Sequence, residues 1–165
     1  MHADAIFAAI KRYLEESNTK YFTAPIPEGH SIYCPGLPAP GKLKSISQTI
    51  ETWRSNLVTY AHCLIFTPAG HIDEMAKFVA LANYNLLPGN FDLDVGTGEI
   101  RYRLFLDCEG FDSMPPVILN RYLPIPLLML YRYGDAIVSV ANGTSDAESA
   151  LAQAKANETR GASPV

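Results

Sequence analysis

FVALANYNLLPGNFDLDVGTGEIRYRLFLD, residues 78–107, reads as the end of an amphipathic helix, a Pro-Gly break and a β-hairpin. Phe91, Leu93 and Val95 alternate with Asn90, Asp92 and Asp94, and Ile100, Tyr102, Leu104 and Leu106 alternate with Arg101, Arg103 and Phe105. Strict alternation is the mark of a strand with one buried face. A tight turn at Gly96-Thr97 pairs Leu93 with Ile100 and Phe91 with Tyr102 on one face. The same register sets Asp92 opposite Arg101, an opposite-charge pair contributing ~0.5 kcal/mol. A slip of one residue would turn the apolar set into water, so the register is strongly determined.

Upstream of this hairpin, Ile72, Met75, Val79, Ala82 and Leu86 recur at helical spacing, and Phe78 and Leu81 widen the stripe. A helix over 72–86 follows, stopped by Leu87-Pro88-Gly89. Its breadth of apolar surface points to burial against a sheet and against a partner chain. Before it, β-branched and aromatic residues predict strands at 46–53 and 57–66, turning near Ser55-Asn56. Residues 25–41, PIPEGHSIYCPGLPAPG, are dense in Pro and Gly and read as loop, with at most a short strand at 31–34. The chain opens with a helix over 4–17, in which Ile6, Phe7, Ile10, Tyr13 and Leu14 share a face and Asp4 caps it or adds an acid to its first turn.

Downstream, Asp112 or Ser113 caps a helix with Pro115-Pro116 in its first turn. Pro124 and Pro126 break it, a further helix covers 127–140 with Gly134 as its weak point, and Asn142-Gly143 closes that element. Ser145 and Glu148 are spaced as a capping box for a last helix to about residue 157. The expectation is one α+β domain over 1–157 and a frayed tail at 158–165. Its antiparallel sheet has about five strands, with helices packed on one side.

A chain of 165 residues is long enough to bury roughly 70% of its unfolded surface. With 48% hydrophobic and 18% charged residues and a net charge of −4, it has no electrostatic footprint for nucleic acid. Asp4 and Lys11 argue against a secretory leader, and the apolar run 117–133 is interrupted by Arg121, Pro124, Pro126 and Arg132, so no membrane span is expected. Three cysteines, Cys34, Cys63 and Cys108, fit reduced thiols in a cytoplasmic protein.

Catalytic signatures are lacking. His62, Cys63, His71 and Asp73 form the best local metal cluster, with His30 and Cys34 as a second, yet neither has structural-zinc spacing. On strand periodicity His62 and Cys63 point to opposite faces, so they cannot share an ion. The acid pairs Asp92/Asp94, Asp107/Glu109 and Glu15/Glu16 read as solvent-facing polarity. Gly96–Glu99 lacks both the phosphate-loop pattern and a following helix. No catalytic residue, cofactor or metal is expected. What remains is surface: Met75, Phe78, Val79 and Ala82 on the apolar helix, with Tyr122 and Tyr131 near Arg121 and Arg132, are the candidate protein interface.

Asn83-Tyr84-Asn85 followed by LPGNFDLDVGTGEIRYRLFLD, with Arg121-Tyr122-Leu123-Pro124 and then Thr144-Ser145-Asp146-Ala147-Glu148 and Ala150, resembles the YbjN family. The likeness covers about residues 46–154, and Pro126 and Gly134 depart from it by interrupting a smoother helix. It implies a type III secretion chaperone-like fold in a bacterial sensory transduction regulator, with no catalytic motif to carry over. The expected function is thus a non-enzymatic, cytoplasmic protein-binding domain with a regulatory or chaperone-like role. It would form a homodimer and bind another polypeptide, not nucleic acid or membrane. The competing expectation is a small-ligand-binding or metal-dependent enzyme whose site assembles on the sheet face from His62, Asp92, Arg101 and Arg103.

Overall fold

A computed structural model describes residues 2–161 and the side chains of 2–156. The fold is α+β: an open antiparallel sheet of six strands in the order β1-β2-β3-β4-β6-β5. The strands are β1 (Phe22–Ile26), β2 (Gly29–Pro38), β3 (Ser45–Trp53), β4 (Asn56–Phe66), β5 (Asn90–Leu93) and β6 (Glu99–Asp107). The helices are α1 (Ala3–Glu16), α2 (Ile72–Asn83), α3 (Pro116–Tyr122), α4 (Ile125–Ala141) and α5 (Ala147–Gly161). No helix among the described residues is long and apolar enough to cross a membrane.

The deciding hairpin has the expected register: Leu93 faces Ile100, Phe91 faces Tyr102 and Asp92 faces Arg101. Its turn is wider than expected but centred where expected. Asp94 N–H donates to the Glu99 carbonyl, Gly98 N–H returns to the Asp94 carbonyl, and the Asp94 carboxylate accepts from Gly96 N–H. Val95 therefore leaves the strand and is exposed. Those bonds to Gly96 and Thr97 hold the Asp94 carboxyl below its ordinary range.

The Pro/Gly-rich segment is where the expectation fails. Residues 22–38 form a hairpin, β1–β2, and bring the strand number to six. The prolines sit where a ladder can tolerate them. Pro25 lies on the edge strand, and Pro35-Gly36 fall in a bulge between Cys34 and Leu37, where Gly36 takes φ +62°. Gly29 is needed because a Cβ there would lie 1.7 Å from the Thr52 carbonyl oxygen.

All helices pack on the face of the sheet that carries Ile32, Ile50, Ala61 and Tyr102, and they divide the core in two. Under α2, α4 and α5 lie Ile46, Ala61, Cys63, Met75, Phe78, Phe91, Ile100, Tyr102 and Tyr133. Under α1 and α3 lie Ile6, Ile10, Leu14, Ile32, Cys34, Ile50, Leu57 and Leu119. Gln48 and Thr59 run along the seam, with the Gln48 amide donating to Thr59 Oγ1 at 3.0 Å.

Helix ends show smaller departures, each with a local cause. Asp4 is a first-turn acid but no cap: its carboxylate meets His30 Nε2 at 2.7 Å, and His30 stacks on Phe7. Helix α2 stops at Asn83 because that side chain turns to the edge of β5, accepting from Phe91 N–H at 2.8 Å and donating to the Phe91 carbonyl at 2.9 Å. Helix α3 begins at Pro116 with Pro115 before it and no side-chain cap from Asp112 or Ser113. Helix α4 starts at Ile125, so Pro126 lies inside its first turn, where a missing N–H costs nothing. Gly134 is a packing site: a Cβ there would come 2.4 Å from Leu43 Cδ1. The cap of α5 is Asp146, accepting from Ser149 N–H at 2.8 Å, while Ala147 N–H donates to Glu74 of α2 at 2.7 Å. Asp146 thus displaces the expected Ser145/Glu148 box. Of the expected frayed tail, residues 158–161 continue α5 and 162–165 lie outside the described residues.

Candidate functional site

Alternation along each strand sends every second side chain to the face that no helix covers. Strand register then aligns these residues in rows. One row runs Phe22, Tyr33, Thr49, Tyr60, Arg103, Asn90; the next runs Ser47, His62, Arg101, Asp92; a third runs Ser31, Glu51, Val58, Phe105. The exposed large apolar side chains of this face are Phe22 at 68%, Phe66 at 58%, Phe105 at 52%, Leu64 at 50% and Tyr33 at 42%. Trp53 and Phe105 add a tilted ring pair at 6.2 Å.

Polar groups occupy the middle. Asp92 accepts from Asn90 Nδ2 at 2.6 Å and from both arginines, Arg101 Nε at 3.3 Å and Arg103 Nη2 at 3.3 Å. The Arg101 guanidinium lies 4.5 Å from the centroid of Tyr60. Burial, and after it the charge of Glu51, hold the Tyr60 phenol above its ordinary range. Beside this cluster, His62 Nδ1 stands 2.8 Å from Glu99 Oε1, and His62 Nε2 stands 3.0 Å from Thr49 Oγ1. A carboxylate can only accept, so Nδ1 donates to Glu99, and a hydrogen bond joins Nε2 to the Thr49 hydroxyl. A shallow hollow of about 280 Å³ lined by Asp92, Leu93, Asp94, Glu99 and Arg101 adjoins them.

Chemically, this is an acid–histidine–hydroxyl relay without the rest of an acyl-transfer site. Thr49 and His62 lie inside strands paired on both sides, so their backbone N–H groups are committed to the sheet. The carboxylates beside the relay are already taken by His62, Arg101 and Arg103.

The residues singled out from sequence are placed unevenly. His62, Asp92, Arg101 and Arg103 do come together on the open face. The six residues expected at an interface do not share a surface. Met75, Phe78 and Ala82 are buried under α4 and α5, Val79 is packed against the same core, and the Tyr131 hydroxyl donates to the Pro38 carbonyl. Tyr122 is half-buried on α3. The broad apolar stripe of α2 is consumed by its own chain, because the helix is packed between β5, α4 and α5. The apolar residues it leaves exposed, or that follow it, are Leu81, Tyr84 and Leu87. The other expected pairings are also apart: Cys63 is buried on the opposite face from His62, His71 packs beside Gly143, and Cys34 lies in the core. No group of three or more His, Cys, Asp or Glu among the described residues could hold a metal ion. Burial pushes the Cys34, Cys63 and Cys108 thiols up to about 11 from their ordinary 9.0.

Sequence reasoning missed Thr49 and Glu99 as partners of His62, and Phe22, Tyr33 and Phe105 as one surface. The alternation in β3, β4 and β6 already carried Thr49, Tyr60 and Phe105 on the polar phase of each strand. Phe22 and Tyr33 were hidden by the reading of 25–41 as loop. No family model, no curated protein and no solved structure matches this chain.

Proposed function

We propose that this chain is a polypeptide-binding domain without a catalytic role of its own, taking its partner on the helix-free face of the sheet. The observation that carries the reading is the set of exposed Phe22, Tyr33, Leu64, Phe66 and Phe105 around internally paired charges. Water-exposed apolar side chains gathered on one face mark an interaction surface. Six strands at ~4.8 Å spacing, averaging eight residues in length, give a face on the order of 700–800 Å², the size of one side of a standard protein interface. The charges there are paired with one another, so a partner covering them need not supply counter-charges of its own. The resemblance to YbjN proteins supports the same regulatory or chaperone-like role in a bacterial cytoplasm, and the partner taken on this face includes a second copy of the chain.

Sedimentation of the wild-type chain against a Phe22→Ser/Phe105→Ser variant tests this. The expected result is a dimer or a captured polypeptide complex for wild type and loss of that species in the variant, with an unchanged unfolding midpoint because both side chains are exposed. Wild type that stays a monomer and binds no polypeptide overturns the reading.

A second reading rests on the relay Thr49–His62–Glu99 and its neighbouring hollow: a small-ligand or ester-cleaving site on the same face. Hydrolysis of a p-nitrophenyl ester that falls at least tenfold in both Thr49→Ala and His62→Gln would favour it. Hydrolysis that is unmoved by either substitution would leave the relay as cross-strand hydrogen bonding.

A further inference from the structure

The seam between the two halves of the core opens into a cleft that the open-face reading does not use. It is lined by Tyr13 and Leu14 of α1, Leu37 of β2, Gln48 of β3, and Leu123, Pro124 and Leu127 at the junction of α3 and α4, with a volume of about 180 Å³. Ser17 and Thr19 line it as well, hydrogen-bonded to each other at 2.9 Å. Its walls are mostly apolar, with Tyr13, Ser17, Thr19 and Gln48 as the polar side chains among them. Gln48 is 4% exposed, and its amide nitrogen is fully spent, donating to Thr59 Oγ1 at 3.0 Å and to the Leu123 carbonyl at 2.8 Å. Fixing both N–H groups fixes the amide plane, and among the described residues no donor reaches Oε1. Gln48, between Ile46 and Ile50 on the core face, thus lines the cleft with both donors committed, and what it has left to offer is the acceptor Oε1.

We propose that this cleft binds a small neutral apolar molecule carrying a single hydrogen-bond donor, of the chemistry of a phenol or a cyclic alcohol, with its O–H on Gln48 Oε1. The volume suits one six-membered ring, since an apolar cavity of about 150 Å³ takes up benzene. Charged ligands are disfavoured because no opposite charge lines the walls, and burying an unpaired ion is costly. The donor supplies the discrimination: it satisfies an acceptor that a pure hydrocarbon would leave buried and unpaired.

The test is a titration of the isotope-labelled full chain with phenol, cyclohexanol and benzene, followed by amide and methyl NMR. Phenol and cyclohexanol should shift the Gln48 side-chain amide and the Leu14 and Leu127 methyls saturably, binding about five- to tenfold tighter than benzene, the value of one net hydrogen bond. In Gln48→Leu that preference should vanish. Should Gln48→Leu not fold, Leu127→Trp serves instead, since it fills the cleft from a half-buried position and should abolish all three titrations. Three results overturn the proposal: no saturable shift at these residues, benzene binding as tightly as phenol in wild type, or a preference that survives Gln48→Leu.

Discussion

Asn83→Ala removes the side chain that closes the outer edge of the sheet. Asn83 accepts from Phe91 N–H at 2.8 Å and donates to the Phe91 carbonyl at 2.9 Å, imitating with one amide what a seventh strand would do. Both bonds are part-buried, and β5 has only four residues. Losing a bond while its partner stays shielded costs about 1–1.5 kcal/mol, so the pair amounts to roughly 2–3 kcal/mol. Alanine returns about 0.5 kcal/mol through better helix propensity at the end of α2. The net expectation is a loss of about 2 kcal/mol. In a chain of this size that lowers Tm by ~4–8 °C. Urea unfolding followed by fluorescence supplies the free energy, and amide hydrogen exchange at Phe91 reports the edge directly. Asn83→Asp is the informative companion: it keeps the acceptor for Phe91 N–H but sets a carboxylate against the Phe91 carbonyl, so it should be no more stable than the alanine variant. A loss under about 0.5 kcal/mol in Asn83→Ala, or unchanged exchange at Phe91, would refute the reasoning.

Gly134→Ala should destabilise the protein by about 1 kcal/mol despite a helix-propensity gain of similar size, because displacing Leu43 costs ~1–3 kcal/mol; a raised urea midpoint would contradict it. The three thiols must remain protonated while folded up to about 11, yet ionise near 9.0 when unfolded, so the unfolded state binds fewer protons in between and stability should fall as pH rises through that window. Thiol titration with a disulfide reagent at mildly alkaline pH should accordingly show no reaction until denaturant is added. Ser149 holds the Asp146 carboxyl below its ordinary range, so its contribution is present above that range and lost as pH falls. The stability gap between wild type and Asp146→Ala should therefore shrink between about pH 7 and about pH 3, and a constant gap would count against the cap.

How much was legible differs from element to element. The register of the hairpin 90–107 was readable, because alternation and charge pairing are local and the pleat leaves one register, while its turn came out wider and released Val95 from the strand. Strands β3 and β4 and helices α1 and α2 followed from the same periodicities. The β1–β2 hairpin was not, since Pro25, Gly29, Pro35 and Gly36 score as breakers one at a time. They are tolerated as an edge position, a close approach to Thr52 and a bulge, which exist only once β3 lies alongside. The α5 cap moved from Ser145 to Asp146 for a comparable reason: Glu74 of α2 takes the Ala147 N–H from 73 positions away.

The candidate site divides along the same line. Local pattern put His62, Asp92, Arg101 and Arg103 on one phase of their strands, which suffices to place them on one face. Their partners depend on which strands become neighbours. Chain order separates β4 from β6 by α2 and β5, yet the sheet sets them side by side, and only that adjacency brings Glu99 to His62. Tertiary structure also reversed the fate of α2. A stripe as apolar as Met75, Phe78 and Ala82 must be covered, and sequence determines that much; whether a partner chain or the chain's own helices cover it is a matter of packing. Here α4 and α5 do so, and the apolar surface left exposed is the aromatic side of the sheet.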